Sequence, residues 1–96
     1  MLDKIKQLQE LKNQAGQIKS ALSAETVEGN GASGQVKIIM DGNQEVKRVE
    51  ISGEILTDKE KLEAAVLAAA NDAIKKVQRV MASKLSQMGN FNLPGF

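Results

Sequence analysis

An uninterrupted run of about thirty helix-compatible residues, from Asp58 to Met88, constrains the fold more than any other feature. Apolar side chains recur along it at steps of three or four residues, namely Val66, Ala70, Ile74, Val77, Met81, Leu85 and Met88. Such a helix reaches ~45 Å at 1.5 Å per residue, whereas a compact chain of 96 residues has a radius of gyration of ~12–13 Å. We therefore expect the helix to extend beyond its own domain, to pair with a second copy of the chain, or both.

A second helix is predicted at the other end of the chain, over residues 2–23. Its apolar positions follow the heptad spacing that places them on one face, namely Leu8, Leu11, Ala15, Ile18 and Leu22. Gly16 interrupts this helix and costs about 1 kcal/mol relative to alanine. The start of the long helix fits a capping box, with Thr57 as the N-cap and Glu60 three residues later.

Three antiparallel strands are predicted between the helices, over residues of about 25–28, 35–40 and 45–51. Asp41, Gly42 and Asn43 form a strong signal for a tight turn between the second and third strands. Val46 breaks the alternation of the third strand, which predicts either a β-bulge or an outward-facing valine. Only one face of this sheet is consistently apolar, so we expect the other face to contact water.

These elements predict a single domain over residues 1–96, an α+β subunit of the order α-β-β-β-α with a small antiparallel sheet and two long helices. Residues 89–96 are predicted to form a flexible tail, which holds both phenylalanines, Phe91 and Phe96. A small sheet covers only part of two long apolar stripes, so a homodimer is the expected way to bury the remainder.

Charge is segregated along the chain although the formal net charge is only +1. Counting Lys and Arg against Asp and Glu gives +2 for residues 1–24, −5 for residues 25–72 and +4 for residues 73–96. Basic ends around an acidic middle are typical of proteins that contact nucleic acid or membranes, although solvated helices show the same pattern.

The composition argues against enzymatic chemistry. The chain has no histidine and no cysteine, which removes the usual general base, the commonest metal ligands and the thiol nucleophile. We therefore expect no cofactor, no bound metal and no small-molecule substrate. No stretch approaches the ~20 apolar residues of a membrane span, and the charged N-terminus is unlike a signal peptide, so a cytoplasmic location is predicted.

Residues 29–34 match the pattern G-x-G-x-x-G letter for letter. A dinucleotide site requires those glycines at the opening of a helix, but a strand is predicted to follow them here. We interpret the segment as a flexible hairpin loop between the first two strands. A loop that touches a phosphate backbone is the functional alternative.

The basic residues of the two helices are the candidate DNA-binding residues, namely Lys4, Lys6, Lys12, Lys19, Lys75, Lys76, Arg79 and Lys84. Lys75, Lys76 and Arg79 are expected to project away from the apolar stripe of the long helix. The alternative is a solvated face whose charges complement the helix dipole. Because the only aromatic residues lie in the tail, base stacking is poorly supported, and contact with the backbone of duplex DNA is the better hypothesis.

Several segments resemble one known family over nearly the whole chain. They are Val27–Gly34, Val36–Ile38, Asp41–Gly42, Val46–Ile51, Asp58–Glu63, Val66–Ala73 with its Asn71-Asp72-Ala73 step, and the tail Asn92-Leu93-Pro94-Gly95-Phe96. In these segments the chain is similar to the YbaB/EbfC nucleoid-associated proteins of bacteria. The Asn-Asp-Ala step and the Leu-Pro-Gly tail are the more specific parts of the resemblance.

The resemblance implies a tight, intertwined homodimer in which helices lie between two sheets and helical arms project like tweezers. It also implies a cytoplasmic, nucleoid-associated protein that binds double-stranded DNA and affects nucleoid organisation and gene expression. The family offers no catalytic motif, so no enzyme is expected. The alternative function is a protein-interaction adaptor, whose long helices would dock a DNA-repair or replication partner.

Overall fold

The computed structural model describes residues 2–88 and shows the predicted order of one helix, three antiparallel strands and a second helix. The elements are α1 (Leu2–Ser23), β1 (Thr26–Gly31), β2 (Val36–Asp41), β3 (Val46–Ile51), a short 3-10 helix (Gly53–Thr57) and α2 (Lys59–Met88). The α-β-β-β-α fold is thus confirmed. The flexible tail predicted for residues 89–96 lies outside the described residues.

The three strands form one antiparallel sheet in the order β1-β2-β3. Ile39 pairs with Arg48 and Met40 pairs with Val46, so Lys47 is the extra residue of a β-bulge in β3. Of the two alternatives that the parity of Val46 predicted, the bulge is therefore present. Because of it, Val46 lies opposite Met40, on the same face of the sheet as the buried side chains of β2.

The first strand begins one residue later and ends three residues later than the sequence predicted, since Gly29 and Gly31 belong to β1. Both glycines lie against the backbone of α2. A Cβ atom at Gly29 would lie 2.1 Å from the carbonyl oxygen of Ala69, and one at Gly31 would lie 2.0 Å from that of Ala65. The hairpin-loop interpretation of residues 29–34 is thus wrong for Gly29 and Gly31, which permit close packing of a helix on a strand.

The face of α2 that packs on the sheet is a row of small residues, namely Ala65, Ala69, Ala73 and Val77, which are 0–3% exposed. Val77 belongs to the predicted apolar stripe and lies in this row, whereas other members of the stripe lie to one side of it. Ala70, Ile74 and Met81 are partly buried at the margin of the core, and Val66 is 37% exposed. The glycines of β1 explain the difference, because the close contact of the two backbones at Gly29 and Gly31 leaves room only for alanine at positions 65, 69 and 73.

Asp58, and not Thr57, caps the start of α2. The Asp58 carboxylate accepts a hydrogen bond from the Lys61 backbone N–H at 3.0 Å, the N-cap geometry. The Thr57 hydroxyl instead donates to the Glu54 carbonyl within the 3-10 helix. Two residues that both favour N-caps stand side by side here, and the preceding 3-10 helix decides between them.

The fold is elongated, with extents of 64 × 19 × 19 Å and a radius of gyration of 18.2 Å. A compact chain of this length has a radius of only ~12–13 Å. Helix α1 contributes to the elongation because it contacts the rest of the fold only near its C-terminal end, where Leu22 is buried. The expectation that long helices extend beyond the domain therefore agrees with this shape.

Buried Asp41 fixes the turn that anchors the C-terminal end of α1. Its Oδ1 accepts hydrogen bonds from the backbone N–H groups of Asn43, at 2.8 Å, and Glu45, at 3.1 Å. The same turn holds α1 through the Gly42 N–H, which donates to the Leu22 carbonyl at 2.9 Å. Burial acts to raise the pKa of Asp41, but these N–H groups and the Lys47 ammonium outweigh it and hold the pKa below its ordinary value.

Candidate nucleic-acid interface

Four basic residues follow one another on the outer half of α2, namely Lys75, Lys76, Arg79 and Lys84. From the first to the last they span nine helical steps, or ~14 Å along the axis. That length of duplex DNA carries about eight phosphate charges, at one charge per 1.7 Å. The length over which α2 presents its basic side chains therefore matches the length of several neighbouring phosphates.

Lys75 and Arg79 are exposed, and no ion pair within residues 2–88 includes either of them. Their charges are therefore available to an external anion. Four residues separate them, so they lie on the same side of α2, about one turn apart. Of the four basic residues on α2, these two are the ones that meet both conditions.

Lys76 is held against the sheet and does not project away from it as predicted. Its ammonium donates to the Glu28 carbonyl at 2.7 Å and lies 3.1 Å from the Asp72 carboxylate. Asp72 in turn accepts the Asn30 backbone N–H at 2.9 Å, and these two contacts lower the pKa of Asp72 below its ordinary value. The pair satisfies backbone groups of edge strand β1 that would otherwise be open to another chain.

Lys84 is also engaged within the chain, since its ammonium lies 3.0 Å from the Glu25 carboxylate at the start of β1. The Lys84 side chain is 29% exposed and that of Glu25 is 41% exposed. The contact joins residues 59 positions apart in sequence, which no local pattern indicates. The Asp72–Lys76 contact, by contrast, has the i, i+4 spacing of an acid followed by a base, which the sequence displays.

The remaining four candidates, Lys4, Lys6, Lys12 and Lys19, lie on exposed positions of α1. None of them takes part in an ion pair within the described part of the chain. They occupy a different helix from Lys75 and Arg79.

Other kinds of site find little support within residues 2–88. No group of three or more His, Cys, Asp or Glu side chains is placed to hold a metal ion there. Over the same residues, neither helix combines the length and the apolar character that crossing a bilayer demands. Two glycines of the G-x-G-x-x-G pattern, Gly29 and Gly31, pack on α2, and strand β2 follows the third, so the pattern does not open a helix as a dinucleotide site requires.

Comparison with known proteins points to DNA binding, as do the basic residues of the two helices. The model of the YbaB/EbfC DNA-binding family matches residues 1–91. The chain belongs to this family. Its members are nucleoid-associated DNA-binding proteins rather than enzymes.

Two curated relatives illustrate the similarity. A nucleoid-associated protein of Caldanaerobacter subterraneus subsp. tengcongensis is 35% identical over 94 residues, which cover 95% of this chain and 85% of the relative. A nucleoid-associated protein of Hahella chejuensis is 35% identical over 102 residues, with 98% and 94% covered. The two matches therefore cover at least 95% of this chain and at least 85% of each relative.

A solved structure shows the same fold. The crystal structure of an uncharacterized protein from Helicobacter pylori matches with a TM-score of 0.73 and covers 84% of this chain and 87% of that one. The two sequences are 22% identical. At that level of identity the likeness concerns the fold alone.

Proposed function

We propose that this chain acts as a homodimeric nucleoid-associated protein that binds duplex DNA mainly through backbone phosphates. Membership of a DNA-binding family supports the class of ligand. The observation that carries the mode of binding is the pair Lys75 and Arg79, two exposed cations one turn apart and outside the ion pairs of residues 2–88. Location at the nucleoid in the cytoplasm and effects on nucleoid organisation and gene expression follow from such binding.

Phosphate contact accounts for affinity without base recognition. Each phosphate that a Lys or Arg neutralises releases counterions and contributes about −0.9 to the slope of log K against log salt. Lys75 and Arg79 from two protomers would neutralise four phosphates, and exposed lysines of α1 would add to them. Helix α2 carries no aromatic residue on which a nucleotide base could stack, and phosphate contacts carry no sequence information, so sequence preference is expected to be weak.

Two uncovered apolar surfaces support the homodimer. On α1, Ile5, Leu8 and Leu11 are 50–66% exposed. On β3, Val49 and Ile51 pair with buried residues of β2 and share their face, yet they are 49% and 43% exposed because α2 covers only β1 and β2. A second copy that placed its own helix over β3 would bury both surfaces and leave the charged side of α2 open.

The DNA-binding hypothesis is tested with two double variants of equal charge. Lys75→Ala/Arg79→Ala removes the exposed pair, and Lys59→Ala/Lys61→Ala removes two exposed lysines from the opposite end of α2. Fluorescence anisotropy with two unrelated 30-bp duplexes at low salt gives the affinities. We expect the first variant to lose at least ~10-fold in affinity, equally for both sequences, and the second to lose less than ~3-fold.

Equal affinities of the two variants would refute the assignment to Lys75 and Arg79. Absence of binding by the wild-type protein at low salt would refute the proposed function itself.

A further inference from the structure

An open groove lies between the start of β1 and the outer part of α2. Its volume is about 340 Å³, and it is lined by Glu25, Arg79, Val80, Ser83, Lys84 and Gln87. Arg79, Ser83 and Gln87 follow one another at four-residue steps, so they face the same side of the helix. The groove therefore combines two cations with a hydroxyl and an amide, which are all groups able to donate hydrogen bonds to a phosphate.

One acid occupies this otherwise basic groove. The Glu25–Lys84 contact, at 3.0 Å, has the shortest N–O distance of the ion pairs within residues 2–88. The backbone holds Glu25 in place, because its N–H donates to the Leu22 carbonyl at 3.1 Å and its carbonyl accepts the Gly42 N–H at 3.0 Å. The carboxylate is thus presented to Lys84 by a hydrogen-bonded junction of α1, β1 and the β2–β3 turn.

We infer that this groove is a phosphate subsite that Glu25 keeps closed in the free protein. On binding, a DNA phosphate replaces the Glu25 carboxylate as the partner of Lys84, beside Arg79. The inference rests on the proposed function and adds to it a residue that weakens DNA binding. The side chains of Glu25 and Lys84 are partly exposed, so another anion easily replaces the Glu25 carboxylate as the partner of Lys84.

The exchange predicts a particular effect of salt. In the wild-type protein the displaced Glu25 carboxylate stays beside the DNA and retains a cation, which offsets the counterion that the DNA releases when Lys84 neutralises a phosphate. Without the Glu25 carboxylate, that release from the DNA is no longer offset. The slope of log K against log salt then becomes steeper by up to ~0.9 for each protomer.

Glu25→Gln tests the inference, because glutamine preserves the shape of the side chain and leaves both backbone hydrogen bonds in place. Glu60→Gln is the matched control, since it removes the same charge at a position ~36 Å from Lys84 along α2. Anisotropy titrations on one duplex at about 100 mM salt should show two- to five-fold tighter binding for Glu25→Gln than for wild type. Glu60→Gln should change the affinity by less than ~1.5-fold.

A second pair of variants distinguishes competition of Glu25 with a phosphate for Lys84 from simple repulsion between Glu25 and DNA. In a Lys84→Gln background, Glu25→Gln should no longer increase the affinity, because the Lys84 ammonium that Glu25 occupies in the wild-type protein is absent. A gain of the same size in that background would overturn the inference. So would equal affinities of Glu25→Gln and Glu60→Gln while wild type binds DNA. A wild-type protein that fails to bind duplex DNA would instead overturn the proposed function, and the inference with it.

Discussion

The contact between β1 and α2 predicts that Gly29→Ala is strongly destabilising. The added Cβ would lie 2.1 Å from the Ala69 carbonyl oxygen and 2.5 Å from the Ala73 nitrogen, where ordinary contacts begin at 3.4 Å. Since both neighbours are backbone atoms of one helix, no side chain can move aside. The strand and the helix must separate by about 1.3 Å, the difference between 3.4 Å and 2.1 Å.

The separation has a large cost because it affects the whole layer of the core. Val36, Ile38 and Met40 pack beneath the same helix, and a gap of 0.5–1 Å already removes a quarter to a half of each dispersion contact. We expect a loss of ~3 kcal/mol or more, out of the ~5–15 kcal/mol typical of a small protein. For this chain length, that corresponds to a decrease in Tm of about 12–24 °C.

Gly16→Ala is the matched control, since nothing lies within 4 Å of a Cβ at Gly16. Alanine favours a helix interior by about 1 kcal/mol over glycine, so its Tm should be unchanged or higher. Thermal melts of both variants and wild type, followed by circular dichroism at one protein concentration, provide the measurement. A Gly29→Ala protein that melts within ~2 °C of wild type would refute this account of the packing.

Three further predictions concern individual side chains. The pKa of Asp41 is held below its ordinary value of 3.8, so the stability that its carboxylate contributes is present above that value and lost as pH falls through the lower folded-state pKa. Thermal melts should show that Asp41→Asn has a lower Tm than wild type at pH 7 and that the difference in Tm decreases in acid. A constant difference in Tm from pH 7 to 2 would contradict this. Lys76→Ala should lower Tm by about 4–8 °C, since it removes the contacts with Glu28 and Asp72, whereas Lys75→Ala should leave Tm unchanged; equal Tm values would show that the Lys76 contacts add no stability. Leu11→Glu on α1 should convert a dimer into a monomer in light-scattering mass measurements, while Gln17→Glu, about 120° around the helix from Leu11, should not. A wild-type monomer would contradict the homodimer and favour a partner protein, such as a DNA-repair or replication factor, on the apolar face of α1.

The order of the elements and the bulge in β3 could be predicted from the sequence because they depend on local signals. Apolar periodicity indicated both helices, and the parity of Val46 indicated the bulge. The packing face of α2 could not be found in this way. Apolar patterns give weight to Val66 and Ile74, whereas the observed face, apart from Val77, consists of alanines that permit the close approach of Gly29 and Gly31.

The candidate DNA site could also be predicted only in part. Local sequence shows where the basic residues lie, and the exposure of Lys75 and Arg79 agrees with their position on a charged helix. Local sequence does not show which basic side chains already form contacts within the chain. The partner of Lys84 comes from β1, 59 residues away, and Lys76 binds a backbone carbonyl of that same strand. Such contacts depend on tertiary packing, which charge counting does not include.

The salt dependence of DNA affinity tests the central claim most directly. Association constants of the wild-type protein and of Lys75→Ala/Arg79→Ala are measured on one duplex from about 50 to 200 mM salt, a range in which phosphate contacts have large effects. We predict a steep linear fall of log K with log salt for wild type, and a slope shallower by up to ~3.6 for a dimeric variant that lacks four phosphate contacts. A wild-type affinity that does not change with salt, or an equal slope for the two proteins, would contradict the claim that α2 binds DNA through its phosphates.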